Sequence, residues 1–304
     1  MPLDADLAAL FPAQEQAMPA FSPDMLPAMR AQMRAMGDAF SRPDGVAREE
    51  HRCGAVPLRL YRPAGAQGGT LLVFLHGGGW MFGDLETHDA MLARIAAEAG
   101  CAVLAAAYRL APEHPFPAGL DDCDAAYDWA VEHASALGCD PARVAIGGES
   151  AGANLAAAVA IRRRDRGEPQ PLFQLLVHPV TDMRLVAPSI DAVTGPGINR
   201  VYMEAARDIY LGEAGAATDP GASPALAPSH AGLAPAIVIT AECDPLRDDG
   251  EAYALALAAA GVEALVQRLP GLPHGFLFLP HELPPVARAY RLLGALLRRY
   301  AGAA

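Results

Sequence analysis

Arg143-Val144-Ala145-Ile146-Gly147-Gly148-Glu149-Ser150-Ala151-Gly152-Ala153-Asn154 starts as a short apolar run, breaks at a turn of small residues and continues as an alanine-rich helical stretch. At its centre, Gly148 to Gly152 spell G-x-S-x-G between a buried strand over 143–147 and a helix over 151–165. Small neighbours in that setting permit a strained turn that pushes the Ser150 hydroxyl out of a sheet. The chain has 29 Gly and seven Ser, so about 0.06 chance matches are expected before the strand and helix are required. Coincidence is a poor explanation.

Outward from this turn, short apolar runs alternate with helical stretches. Buried strands are expected over 71–75, 102–108, 172–178 and 236–241, and a last strand over 264–269. Helices are expected over 86–99, 119–136, 249–260 and 285–300. Such alternation specifies an α/β domain with a mostly parallel, doubly wound sheet. Residues 56–62 read as an antiparallel edge strand. Two segments break the rhythm. Residues 1–45 carry several Pro, no strand signal and Met25, Met29, Met33 and Met36 at near-helical spacing. Residues 183–235 are rich in Pro, Gly and Ala, with one helix over 200–211. Both are expected to form a helical cap over one sheet edge, on a main domain of 46–304. The methionines can form an adaptable wall for apolar ligands, but an apolar helix face glued to the body is the better reading for most of them.

A serine hydroxyl attacks only when a base takes its proton and a carboxylate orients that base. Of the histidines, only His230, His274 and His281 follow a plausible acid. His274, in Pro273-His274-Gly275-Phe276, stands on a turn between the last strand and the C-terminal helix; the other two read as surface residues. Asp244 directly follows the strand over 236–241, on the same sheet edge as Ser150. Asp248 competes, although a carboxylate there also suits the start of the next helix. His76-Gly77-Gly78-Gly79-Trp80 follows the strand over 71–75, where a glycine loop can bring amides to a developing oxyanion. The amides of Gly78, Gly79 and Ala151 are the expected donors, and His76 orders the loop. Trp80, Met81 and Phe82 are the expected walls of an apolar acyl pocket.

Composition closes other routes. The net charge is −12, and no basic patch stands out, which disfavours nucleic acid. All 23 basic residues are Arg, so Schiff-base chemistry and the P-loop lysine are excluded. The five cysteines never form C-x-x-C, and no H-E-x-x-H or comparable metal spacing occurs. No cofactor or metal is expected. Without an N-terminal signal or an apolar run of membrane-spanning length, a cytoplasmic protein is expected.

The motifs together resemble the hormone-sensitive lipase family of carboxylesterases, also called bacterial esterase family IV, on the α/β-hydrolase fold. The resemblance rests on 76–80, on Tyr108-Arg109-Leu110-Ala111-Pro112-Glu113-His114-Pro115-Phe116-Pro117-Ala118, on 148–156, on Asp244-Pro245-Leu246-Arg247-Asp248 and on His274-Gly275-Phe276, in family order over roughly 56–304. It implies hydrolysis of small-molecule carboxylic esters of short to medium chain, without cofactor, through an acyl-enzyme. It also implies Ser150 as nucleophile, His274 as base, Asp244 as orienting acid, an N-terminal helical cap and a homodimer. The sequence departs from the family at Glu149, where Asp is usual, at Ala153, where Gly is usual, and at His178, where Tyr is common. Amide hydrolysis shares the same tetrahedral intermediate, and a binding protein on this fold would have lost the base; both stay as rival readings.

Overall fold

The structure is a computed structural model and describes residues 2–11, 23–38, 40–66, 69–193, 196–213 and 216–302; the side chains of Pro23, Met36 and Asp38 lie outside the described set. Eight strands form one sheet in the order β1-β2-β4-β3-β5-β6-β7-β8. They are β1 (Val46–Cys53), β2 (Val56–Pro63), β3 (Leu71–Leu75), β4 (Ala102–Ala106), β5 (Val144–Glu149), β6 (Gln174–Val177), β7 (Ala236–Cys243) and β8 (Ala264–Pro273). β2 runs antiparallel to β1 and β4, and every pairing from β4 through β8 is parallel.

The helices are α1 (Ala5–Ala8), α2 (Leu26–Asp38), α3 (Asp89–Ala99), α4 (Ala118–His133), α5 (Ala151–Asp165), α6 (Ser189–Ala192), α7 (Arg200–Leu211), α8 (Arg247–Ala259) and α9 (Pro284–Tyr300). Strand periodicity sorts the core into two layers. Leu71, Val73 and Leu75 join a cluster with α4, α5 and α8, whereas Leu72 and Phe74 pack with α3 and α9. Both faces are covered, so β3 is wholly apolar and wholly buried.

The edge assignment needs correction. β2 is antiparallel as expected, but the outermost strand is β1, which pairs with it across a tight turn from Cys53 to Val56. Its sequence, VAREEHRC, is mostly exposed and therefore lacks the apolar alternation that marks a half-buried strand. Charged side chains of this kind protect a sheet edge from pairing with another chain.

Helices α2 and α7 meet away from the two main layers. Leu26, Met29 and Met33 of α2 and Tyr202, Ala206 and Ile209 of α7 close on Met81 and Phe82. Arg30 ties α2 down: it donates to the carbonyls of Met81 (2.8 Å) and Ala111 (3.0 Å) and holds the Glu113 carboxylate at 2.7 and 2.9 Å. Of the methionine stripe, Met33 lines a cavity, Met29 packs in this cluster and Met25 is exposed; the Met36 side chain lies outside the described residues.

Candidate active site

Parallel pairing brings the ends of β3, β5, β7 and β8 to one edge, and each end carries a chemically distinct group. Ser150 follows β5 with φ +53°, in the left-handed region, and its N–H donates to the Val177 carbonyl at 2.9 Å. Such a backbone is sparsely populated for a non-glycine residue and persists only where surroundings hold it. The surroundings here are tight: a Cβ at Gly152 would overlap the Leu75 carbonyl oxygen, and one at Gly148 would lie 2.6 Å from the same atom. Gly152→Ala should therefore cost about 3 kcal/mol or more in stability, read as a fall in the urea midpoint.

The three expected partners meet. His274 Nε2 lies 3.0 Å from Ser150 Oγ, and its Nδ1 lies 2.9 Å from Asp244 Oδ2. Asp244 is completely buried at the end of β7, and its other oxygen accepts the Leu246 N–H at 2.8 Å. Burial alone would lower the His274 pKa, but the charge and hydrogen bond of Asp244, helped by Glu149, hold it above the ordinary imidazole value. Asp248 lies in the first turn of α8, as a helix-start carboxylate would, and pairs with Arg247 at 2.8 Å. His281 is partly exposed beside Glu282, as a surface residue would be. His230 is not a surface residue: it is buried against Tyr253 and bonds the Pro224 carbonyl at 3.0 Å.

The glycine loop after β3 lies beside the serine turn because β3 and β5 are neighbours. Gly78, Gly79 and Trp80 all have positive φ (+109°, +59° and +59°). A Cβ at Gly78 would lie 2.5 Å from the Phe82 carbonyl oxygen, so only glycine fits. His76 orders the loop as expected: it is buried, stacks on Tyr108 at 4.2 Å and shares a 2.9 Å hydrogen bond from Nδ1 to the Gly77 carbonyl. Burial, with His88 nearby, lowers its pKa to about 4.

Gly78, Gly79 and Ala151 line one cavity with Ser150 and His274. Its volume is about 150 Å³, and its walls are apolar side chains that include Trp80, Met33, Val180, Leu185, Met203 and Phe278. Met81 and Phe82 are absent from that wall. The turn Gly78–Phe82, closed by the Met81 and Phe82 N–H groups on the Gly78 carbonyl, sends both side chains toward α2 and α7 instead.

Two residues of the site, Tyr202 and His88, escaped the sequence reading, whereas Asn154 and Glu149 entered it only as motif positions. Tyr202 reaches in from α7, so close that a Cβ at Gly79 would lie 3.0 Å from its hydroxyl. Asn154, fully buried on α5, donates to the carbonyls of Val180 (3.0 Å) and Ala222 (2.7 Å). An amide inside the run AGANLAAAVA was the available signal, since a buried polar group requires partners. Glu149, placed by its motif alone, and His88 lie behind the glycine loop. The Glu149 carboxylate accepts the Gly77 N–H at 2.5 Å and lies 3.2 Å from His88 Nε2. Burial pushes its carboxyl up, but His88, His178 and His274 outweigh this and hold it at about 2. His178 sits 3.9 Å from Glu149 with its ring centroid 4.3 Å from that of His274, and burial lowers its pKa to about 4.

Among the described residues, one group of donors is close enough together to hold a metal: His178, Asp244 and His274, with atoms within 4.8 Å of one another. Two of the three are already hydrogen-bonded to each other. Among the described residues, no helix is long and apolar enough to cross a membrane.

Comparison with known proteins agrees with this fold. A family model for the alpha/beta hydrolase fold matches residues 72–278. The chain is 44% identical over 278 residues to the carboxylic ester hydrolase LipN of Mycobacterium tuberculosis, spanning 84% of this chain and 71% of that protein. It is 39% identical over 282 residues to the carboxylesterase NlhH of the same organism, spanning 91% and 85%. The hyperthermophilic esterase of Pyrobaculum calidifontis superposes with a TM-score of 0.88 at 35% identity, over 100% of both chains.

Proposed function

The chain belongs to the hormone-sensitive-lipase-like esterases of the α/β-hydrolase fold and is a carboxylic ester hydrolase, and from that premise we propose that Ser150, His274 and Asp244 carry its chemistry. The observation behind the proposal is the unbroken relay from Ser150 Oγ through His274 to Asp244, at 3.0 and 2.9 Å, opening on an apolar cavity. In this reading His274 takes the serine proton as Oγ attacks the ester carbonyl, and the oxyanion forms against the amides of Gly78, Gly79 and Ala151. Collapse of the intermediate breaks the bond to the alcohol oxygen, which leaves with the proton from His274. Water then attacks the acyl-enzyme by the same route in reverse, releasing the acid. Asp244 keeps Nδ1 protonated and stabilises the imidazolium in both halves.

The substrate is a small ester of short to medium acyl length. The cavity, at about 150 Å³, is smaller than the roughly 300–1,000 Å³ of sites for drug-sized ligands. Helices α2 and α7 serve as its cap, with the described residues of 1–45 and 183–235 contributing, and Trp80 is part of the acyl-binding wall. Ester hydrolysis by the relatives favours this reading over amide hydrolysis or mere binding. A cytoplasmic, dimeric enzyme is part of the proposal; its support is five cysteines that form no disulfide and the family resemblance.

Two experiments test it. Diethyl p-nitrophenyl phosphate should add one diethylphosphoryl group to the peptide containing Ser150, found by mass spectrometry; labelling elsewhere would move the nucleophile. Across p-nitrophenyl esters from acetate to palmitate, kcat/KM should peak at or below the octanoate and fall at least tenfold by the palmitate. A maximum at the longest chain would contradict the small, capped cavity.

A further inference from the structure

The peptides that precede the oxyanion donors are fixed one by one. The Tyr108 hydroxyl donates to the His76 carbonyl at 2.7 Å, and His76 Nδ1 holds the Gly77 carbonyl at 2.9 Å. A trans peptide points its N–H opposite to its C=O, so holding the Gly77 carbonyl also aims the Gly78 N–H. The remaining group of this stretch is the Gly77 N–H, and it lands on Glu149 Oε1 at 2.5 Å. Position 77 is matched to that carboxylate, because a Cβ on Gly77 would collide with it.

Glu149 is in turn held from behind. His88 is completely buried, and its Nε2 faces the same Oε1 at 3.2 Å. Its Nδ1 lies 2.7 Å from Thr87 Oγ1, and because an ionised carboxylate only accepts, Nε2 is the donor in the contact with Glu149. Glu149 itself is 2% exposed, and a buried anion persists only with such donors. Because Glu149 immediately precedes Ser150, one link joins the serine turn to the oxyanion loop across the β5–β3 boundary.

We propose that Glu149, braced by His88, is a positioning residue that presets the oxyanion loop through the Gly77 N–H. This rests on reading the Gly78 and Gly79 amides as oxyanion donors. The hydrogen bond is needed from the residue beside the nucleophile, and its acceptor oxygen matters more than its charge. Preorganised donors act on the transition state and not on the bound ester, so their loss appears in kcat and not in KM.

The test compares Glu149→Gln, which keeps an acceptor at the Oε1 position, with Glu149→Met, which keeps length and volume but has no acceptor of that strength. Each is measured for melting temperature, for kcat and KM on p-nitrophenyl butyrate, and for inhibition by an aryl trifluoromethyl ketone, whose hemiketal needs the same donors. The Met variant should lose about 10- to 100-fold in kcat with KM within twofold, and should bind the ketone more weakly by the same factor. The Gln variant should stay within threefold of the parent in both. A folded Met variant with unchanged kcat overturns the proposal. A Gln variant as slow as the Met variant also overturns it, by assigning the effect to charge near His274. Should the Met variant not fold, a tenfold loss in the Gln variant still overturns the proposal, and parental ketone affinity upholds it. Ser150→Ala runs alongside: if it keeps turnover, the triad reading fails, whereas its inactivity beside a fully active Met variant sinks this inference alone.

Discussion

Ser150→Ala and His274→Ala should each lower kcat by about 10⁴- to 10⁶-fold on a short aryl ester, with melting temperature changed by no more than a few degrees. The size follows from the geometry. Ser150 Oγ and His274 Nε2 are 3.0 Å apart, so in the proposed relay the proton leaves as the nucleophile attacks, and neither group is useful without the other. The double variant should consequently be scarcely slower than either single one. Residual rate above water would come from the loop amides and from binding, neither of which either change removes. Folding is spared because both side chains border the cavity, and truncating them there leaves no sealed void. Active-site titration combined with steady-state rates provides the measurement. Normal turnover in His274→Ala would mean that another base serves Ser150. Multiplying effects in the double variant would mean that the two act independently.

What could be read ahead of the structure follows from what each residue must do. The elbow and the glycine loop were legible because only small residues tolerate their backbones, and such constraints leave literal motifs at Gly78, Gly148 and Gly152. The central strands were legible because burial on both faces demands unbroken apolar runs such as Leu71–Leu75. β1 was not, since a protected edge strand has little apolar face to show. Side-chain direction beyond the loop was equally hidden. Trp80, Met81 and Phe82 are consecutive and apolar, yet only Trp80 borders the cavity, because positive φ values at Gly78 through Trp80 turn the chain before Met81. Tyr202 arrives from a helix more than fifty residues beyond the elbow, and no local pattern announces a long-range approach. His230 was misread for a related reason: burial against Tyr253 and the Pro224 carbonyl depends on tertiary packing of a segment with no strand or helix periodicity.

The acid is the position at which two carboxylates compete, and Asp244→Asn should lower kcat/KM by about 10³- to 10⁴-fold while Asp248→Asn costs less than about threefold. Asp244 is fully buried and touches His274 Nδ1, so asparagine there can donate where the native carboxylate accepts, and the imidazole turns to the wrong tautomer. Asp248 pairs with Arg247 in a partly exposed helix start, where loss of one charge is largely absorbed by solvent. The pH profile separates a true orienting acid from a merely structural one. As the proposed base, His274 works only when deprotonated, so activity should fall as pH drops through its pKa. Burial pulls that pKa down, the Asp244 charge and hydrogen bond together with the Glu149 charge outweigh it, and the acid limb of the parent should therefore lie above the ordinary imidazole value of 6.5. In Asp244→Asn burial prevails, and the limb should move to lower pH as the rate collapses. In Asp248→Asn the limb should stay in place. An unmoved limb in Asp244→Asn, or the larger loss in Asp248→Asn, would transfer the role to another carboxylate. Glu149 cannot assume it, because its oxygens face Gly77, His88 and His178, whereas the proton to be fixed is on the side of His274 that faces β7.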